Sequence, residues 1–203
     1  MIRRTMAGVA ATGCAILIVT AAGAQAGKEP PKMTPQQQAE MDAWTKAGTP
    51  GPPHQALAAM AGTYDLKVKS WSAPNTPPME DSGTATRAMI LGGRVLTEDF
   101  NGTMMGQPMM GHGMMGHDNV TGKVWGTWTD TMITGILEYE GTCDWQKKSC
   151  AFTGTMNDPI KKGPSKVRLA TRWTTPGTEV FEMFAPGPDG KEMKMMEITY
   201  TKK

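Results

Sequence analysis

The sequence predicts an all-β fold, an antiparallel up-and-down barrel of about ten strands with one or two short helices before it. From residue 62 onward, short segments alternate with turns built from glycine, proline, asparagine or aspartate. No helical stretch lies between these segments, which argues against a parallel sheet with crossover helices. A meander of this length usually closes, because closure removes exposed edge strands. An open sandwich is the alternative, since the alternation within several segments is imperfect.

The turn signals divide this region into ten predicted strands. The predicted strands cover residues 63–71, 83–91, 95–104, 109–117, 123–130, 134–140, 151–156, 166–173, 178–185 and 192–201. The turns between them are predicted at Gly92-Gly93, Asn101-Gly102, Asn119–Gly122, Pro176-Gly177 and Pro186–Gly190. Each of these sequences contains residues that favour a tight turn.

The N-terminus has the pattern of a secretory signal peptide. Arg3 and Arg4 precede an apolar run over residues 6–22, and Ala24-Gln25-Ala26 provides a small-x-small cleavage site. We therefore expect residues 1–26 to be removed and the protein to be periplasmic or secreted. The apolar run is too short for an ordinary membrane span, so no span is expected after cleavage near Ala26.

The segment 27–61 is predicted to form a polar tether and short helices, and residues 62–203 the barrel domain. Thr34-Pro35 is a helix-start pattern, an N-cap followed by proline at the first helical position. Two helices are predicted, over residues 34–47 and 54–60.

The charge balance argues against a nucleic-acid partner. The chain has 21 basic and 19 acidic residues, and removal of the signal peptide takes two arginines with it. The mature protein then has a formal net charge of zero and no basic run, which is not the footprint of a protein that binds nucleic acid or an anionic membrane.

Two cysteines remain after the signal peptide is removed, Cys143 and Cys150. Six mostly polar residues separate them, which is typical of a disulfide that closes a hairpin loop in an oxidising compartment. The chain-entropy description gives such a small loop about 2–3 kcal/mol of stabilisation.

The stretch from Met104 to Asp118 is the one place where the sequence hints at a particular chemistry. It holds six of the 19 methionines and two of the three histidines. On an extended strand, Met110, His112 and Met114 share one face, while Met109, Met115 and His117 lie on the other. Thioether and imidazole groups are ligands that Cu(I) prefers. The hypothesis is a Cu(I) or Ag(I) site formed by Met110, His112, Met114 and His117, with Met104 or Met105 contributing if the chain folds back near Pro108.

Two other interpretations of this stretch remain open. Methionine is a flexible filler of irregular cores, so the repeat can be simple hydrophobic packing. Exposed methionines are also oxidised reversibly, so a methionine-rich surface can absorb oxidant.

No catalytic constellation is recognisable, so the protein is not expected to be an enzyme. The sequence lacks the nucleophile elbow, the zinc-protease helix, a phosphate-binding glycine loop and a Cys-x-x-Cys pair. Glu138, Glu140, Glu179 and Glu182 are interpreted as solvated strand positions.

Several motifs resemble a bacterial family known as domain of unknown function 1579. They are Thr49–His54, Ala61–Asp65, Ile90–Arg94, Met104–Pro108, His117–Asn119 and Phe181–Tyr200. The match spans about residues 33–203. Similar sequences carry mostly apolar or aromatic residues at Met109, His112, Met114 and His117, so the Met/His enrichment is a local departure.

The family resemblance implies a calycin-like barrel, similar to lipocalins, fatty-acid-binding proteins and nitrobindin-like haem proteins. Gly62-Thr63-Tyr64 stands where such barrels often show Gly-x-Trp on the first strand. Small barrels hold one apolar ligand, and pockets of this kind are mainly apolar with a few polar anchors. We therefore expect a binding protein for a small apolar molecule, with no resident cofactor; a structural envelope protein with a filled barrel is the alternative. The candidate lining residues, from strand alternation, are Tyr64, Leu66, Met110, His112, Met114, Trp128 and Trp173.

Overall fold

The computed structural model describes residues 33–203. The predicted signal peptide and the tether over residues 27–32 therefore lie outside the described residues. The described chain forms two helices and ten strands. Their bounds are α1 Pro35–Gly48, α2 Pro52–Ala59, β1 Gly62–Ser70, β2 Met79–Ile90, β3 Val95–Met104, β4 Gln107–His117, β5 Val124–Asp130, β6 Leu137–Asp144, β7 Ser149–Asp158, β8 Gly163–Thr175, β9 Thr178–Pro186 and β10 Glu192–Lys202.

The ten strands form a closed antiparallel barrel, which confirms the predicted fold class. Each strand pairs with its neighbours in the chain, and β1 closes the sheet by pairing with β10. In that closure Tyr64 lies opposite Lys202 and Ser70 lies opposite Met196. The open-sandwich alternative is therefore wrong.

One predicted turn was misplaced. Asn101-Gly102 lies inside β3, and the chain folds back at Met105-Gly106, close to Pro108 and between the predicted strands 95–104 and 109–117. Both turn residues have positive φ, 53° and 71°, as two-residue hairpin loops with a type I′ turn require. A methionine in the left-handed region is uncommon, so the sequence favoured the Asn-Gly pair as the turn.

The two ends of the barrel differ. One end, which we call the floor, is covered by α2, which contacts β2, β3 and β4. Leu57 and Met60 of α2 are buried there against Leu96. The other end, which we call the mouth, is bordered by the β1–β2 loop, the β3–β4 turn and the β5–β6 loop.

Strand alternation builds the interior. On β1, Tyr64, Leu66 and Val68 are buried, while Asp65 and Lys67 between them are exposed. Because side chains on a strand alternate between faces, one face of each strand supplies the interior and the other meets solvent. The core therefore consists of inward-facing side chains arranged around the barrel axis.

Helix α1 begins as predicted but packs little. The Thr34 side chain accepts a hydrogen bond from the Gln37 amide, and the Gln37 side chain accepts one from the Thr34 amide, which forms a capping box. None of its residues is buried, and Trp44 is 80 % exposed. Neither of the helices in residues 33–203 has the length and apolar character needed to cross a membrane.

The predicted disulfide is confirmed. Cys143 and Cys150 face each other across β6 and β7 and are bonded. The hairpin that they close lies at the floor, and its Trp145 packs against Trp173 with ring centroids 6.0 Å apart. The bond thus fastens the β6–β7 hairpin close to the helix that covers the barrel.

Candidate functional site: an interior cavity with a charged floor

The barrel encloses a cavity of about 400 Å³. Apolar side chains form most of its wall, and methionines are prominent among them. Inward positions on five strands contribute Met104, Met109, Met115, Met156, Met183 and Met196. Methionine side chains are flexible and polarizable, so such a wall adapts to ligands of different shape.

Trp128 forms an aromatic part of this wall. Its ring lies edge-on to Phe100, with centroids 6.4 Å apart, and its indole N–H donates to Asp130 at 2.9 Å. Gly111 and Gly113 on β4 leave the space that the indole occupies. A Cβ at Gly111 would lie 2.2 Å from Trp128 Cζ2, which no real contact tolerates. Gly111 and Gly113 therefore leave the space in which the Trp128 side chain lies.

A buried ion cluster marks the floor of the cavity. Arg87 donates through Nε to Glu98 at 2.5 Å and through both terminal nitrogens to Glu179 at 2.7 and 3.1 Å. Arg87 is 6 % exposed and Glu179 is 4 % exposed. The paired contact to Glu179 has the fork geometry that makes arginine–carboxylate pairs strong and directional. All three charged residues border the cavity.

Two tyrosine rings, which meet each other edge-on, pack against the guanidinium. The Arg87 Cζ atom lies 4.3 Å from the Tyr200 ring centroid and 5.0 Å from the Tyr64 ring centroid. The Tyr200 hydroxyl donates to Glu98 at 3.0 Å, and the Tyr64 hydroxyl donates to the Met60 carbonyl at 2.7 Å. The floor is thus a network of hydrogen bonds and ring contacts in which the arginine, the carboxylates and the phenols hold one another in position.

The electrostatics of the cluster favour its charged arginine. Burial alone would lower the pKa of Arg87, but the carboxylates of Glu98 and Glu179 outweigh it and hold that pKa well above its ordinary value. Burial, reinforced by Glu98, raises the pKa of Tyr200 well above its ordinary value. Tyr200 therefore stays neutral and acts as a hydrogen-bond donor at physiological pH.

A second cavity of about 340 Å³ lies beside α2 at the floor. Glu179 and Met60 border both cavities, so the ion cluster lies between them. On the same helix, His54 is buried and meets the His117 ring of β4 edge-on, with centroids 5.5 Å apart. Burial and the nearby His117 lower the pKa of His54, whose Nδ1 accepts a hydrogen bond from the Gly51 amide at 3.1 Å.

Of the seven residues proposed as ligand-lining, the four that lie outside β4 are found in three different places. Trp128 borders the main cavity. Tyr64 and Trp173 border the second cavity instead. Leu66 is packed within the core beside Val68 and Tyr200, and it borders neither cavity.

The Met/His residues of β4 divide between the two faces as the alternation predicted. Met110 and His112 project outward, and of the residues on that face only Met114 borders the cavity. The His112 ring nitrogen Nδ1 lies 2.7 Å from an Asp99 carboxylate oxygen. His117 points inward to His54.

The strands beside this outer face supply no thioether opposite it. Asn101, Asp99 and Thr97 of β3 lie opposite Met110, His112 and Met114. Met104 is packed against the interior core cluster. Within residues 33–203, no group of three or more histidine, cysteine, aspartate or glutamate side chains is placed to hold a metal ion.

The sequence interpretation missed the ion cluster. Glu138 and Glu140 are exposed as expected, but Glu179 is buried, so its assignment as a solvated position was wrong. The sequence did contain an indication of the cluster's burial. Residues two positions apart on a strand face the same side, and each charged residue of the cluster has an apolar neighbour at that spacing. Glu98 lies between Leu96 and Phe100, which both face inward.

The fold and the cavity define the class of protein: a closed calycin-like barrel with a mainly apolar interior and a polar anchor at one end. The crystal structure of Rv2717c from M. tuberculosis is similar, with a TM-score of 0.59 and 12% identity over 76% of this chain and 99% of that chain. A redesigned β-barrel, b11L5F_LGL, matches with a TM-score of 0.38 and 14% identity over 73% of this chain and 95% of that one. At these identities the first likeness supports the fold alone.

The family is settled by the match of a family model to residues 49–202. The chain belongs to the family described as protein of unknown function, DUF1579, which confirms the resemblance seen in its motifs. No curated protein matches the chain.

Proposed function

We propose that this protein is an exported β-barrel that binds a small apolar ligand in its interior. The observation that carries the proposal is the cavity of about 400 Å³, whose wall is mainly methionine and aromatic side chains. Ligand sites in proteins have this size and character, an apolar cleft with a few convergent polar groups. A barrel serving only as a structural element would gain stability by filling that space.

The test is displacement of the neutral fluorescent probe N-phenyl-1-naphthylamine from the mature, disulfide-bonded protein. The variant Met196→Trp adds bulk inside the cavity, next to the buried core of β1 and β10. Its matched control is Met110→Trp, which places the same side chain at a position that is 59 % exposed on the outer face. We expect probe binding by the native protein and the control, and at least a tenfold loss in Met196→Trp. Equal binding by both variants would place the probe on the surface and end the proposal.

Export rests on the N-terminal sequence. Expression of the full chain in a Gram-negative host is expected to yield a periplasmic protein whose N-terminus is Gly27, as read by intact mass. A cytoplasmic product that retains residues 1–26 would contradict it.

Cu(I) or Ag(I) binding is the second candidate, and the shared outer face of Met110, His112 and Met114 is what favours it. The contact of His112 with Asp99 and the polar residues opposite weigh against it. An anaerobic Cu(I) titration against a chromophoric competitor distinguishes the two functions. Stoichiometric binding that is lost in the His112→Ala, Met114→Ala double variant would support the metal site, and an absence of competition would exclude it.

A further inference from the structure

We infer that the ligand is an amphiphilic cation, a protonated amine on an apolar body, whose head group is held by Glu98 and Glu179. This inference rests on the proposed function, because it concerns the same cavity. It specifies the chemical class of the ligand's head group, the end that reaches the floor of the cavity. Three observations support it. The cavity lining has a negative formal charge, most hydrogen-bond donors at the floor already have acceptors, and the ion cluster lies at the covered end of the cavity.

The formal charge of the cavity lining is negative. Arg87 is the single basic residue among those that border the cavity, whereas Glu98, Glu179 and Asp130 are acidic. At the floor itself, one guanidinium faces two carboxylates, which leaves an excess of one negative charge in a buried setting. An uncompensated buried charge is costly, and a ligand cation would neutralise it.

Most donors at the floor are already engaged. Arg87 directs three of its five N–H groups to the two glutamates, and the Tyr64 and Tyr200 rings pack against the guanidinium. The Tyr200 hydroxyl donates to Glu98. A carboxylate ligand would add a third negative charge beside Glu98 and Glu179, which already share the single guanidinium. The carboxylate oxygens, in contrast, each accept one contact in this network and retain acceptor capacity.

The cluster lies where a head group would come to rest. Arg87, Glu98 and Glu179 border the main cavity at the end covered by α2, while methionines line the path from the mouth. The apolar body of a ligand would therefore lie against the methionine wall, with its head group at the floor. The Tyr200 ring adds a surface that attracts a cation.

The experiment compares three probes of equal chain length: dodecylamine, dodecanol and dodecanoate, each displacing N-phenyl-1-naphthylamine at neutral pH. A charged hydrogen bond that forms at the floor corresponds to at least a tenfold preference. We expect dodecylamine to bind about tenfold or more tightly than dodecanol, and dodecanoate to bind most weakly. Glu98→Gln keeps the shape of the side chain and removes the excess charge. It is expected to abolish the preference for the amine over dodecanol, which is measured as the ratio of the two affinities within the variant.

The control is Glu138→Gln, which removes one carboxylate from an exposed position of β6 and should leave the ranking as in the native protein. Failure of all three probes to displace the fluorophore would overturn the proposed function itself. If the probes displace the fluorophore but dodecanoate binds most tightly, or the three probes bind equally, only the inference about the head group would be overturned. An unchanged preference in Glu98→Gln would do the same. If that variant does not fold, the ranking of the three probes by the native protein decides.

Discussion

The floor and the mouth of the barrel are built on different principles. At the floor, Arg87 connects β2 to β3 and β9 through three directed hydrogen bonds, and Tyr200 of β10 joins them through Glu98. At the mouth, flexible methionines and loop residues form most of the border, and Asp130 accepts hydrogen bonds from the Trp128 indole and from the Met132 and Ile133 amides. The floor is fixed by charge and geometry, whereas the mouth is fixed mainly by volume.

This contrast fits the ligand-binding function that we propose, which makes two demands on the barrel. A preorganised polar network sets orientation and selectivity, because its groups do not move to meet a ligand. An adaptable apolar wall accepts bodies of varied shape at modest cost. The difference leads to an ordered set of expectations, in which changes at the floor cost more than changes at the mouth.

The largest effect is expected for Arg87→Met. It leaves two buried carboxylates facing each other without their cation, and breaking a buried pair in this way costs about 3–5 kcal/mol. Urea unfolding followed by tryptophan fluorescence measures the loss. At the mouth, Met104→Leu conserves volume and is expected to cost less than about 1.5 kcal/mol.

Arg172→Met is the control for removal of an arginine as such. Arg172 is half-exposed and paired with Glu182 at 3.1 Å, so its loss should cost about 1 kcal/mol or less. A free energy of unfolding that fell equally in Arg87→Met and Met104→Leu would break the distinction between floor and mouth.

The disulfide strengthens the floor side of the comparison. The Cys143→Ala, Cys150→Ala double variant is expected to lose about 2–3 kcal/mol of unfolding free energy, because the hairpin beside α2 is no longer closed in the unfolded chain. Unfolding of the native protein with and without reductant measures the same quantity. Reductant should have no effect on the double variant, and a reduced native protein as stable as the oxidised one would contradict the expectation.

Gly111→Ala tests a tightly fitted contact on the mouth side. The added Cβ would overlap the Trp128 indole, and overpacking of this kind typically costs about 1–3 kcal/mol. Trp128 emission and urea unfolding report the displacement together. Gly163→Ala is the matched control, since its Cβ would meet nothing closer than a carbonyl at 4.0 Å. Equal stability of the two variants would mean that the indole moves freely and that the mouth has no fitted contact.

The smallest effect is a dependence on pH at the floor. Because burial lowers the pKa of His54 below 6.5, the unfolded chain takes up a proton more readily than the folded protein. Its contribution to stability is therefore complete well above pH 6.5 and is lost as the pH falls below that value. Thermal unfolding at pH 7.5 and 5.5 measures the loss. His54→Asn keeps an acceptor for the Gly51 amide and should flatten this part of the profile, whereas an unchanged slope would exclude His54 as its source.

The strand positions were predictable because they depend on local signals. Turn residues such as Gly92-Gly93 and Pro176-Gly177 separate the strands, and alternation assigns the inward face of each. The Met105-Gly106 turn falls in the gap between two predicted strands, but its residues were not recognised as turn-forming because a methionine with positive φ has no composition signal. Register between distant strands, such as the closure of β1 on β10, depends on the whole sheet and cannot be read from either strand.

The cavity site was predicted less well than the fold. The methionine repeat drew attention by composition, yet its glycines have the clearer structural role, because they make room for Trp128. Arg87, Glu98 and Glu179 are far apart in sequence, and each alone resembles a solvated charge. Only their convergence in the closed barrel turns them into one site.

The pairing of β1 with β10 also governs how the protein reaches its native state. The first strand finds one of its two partners only when the last strand has been synthesised, so the sheet has two open edges until then. Contacts of such high sequence separation slow folding, and unpaired edges expose the chain to aggregation in the meantime. The barrel therefore completes its cooperative unit late, and a chain without β10 would leave β1 and β9 as unpaired edges.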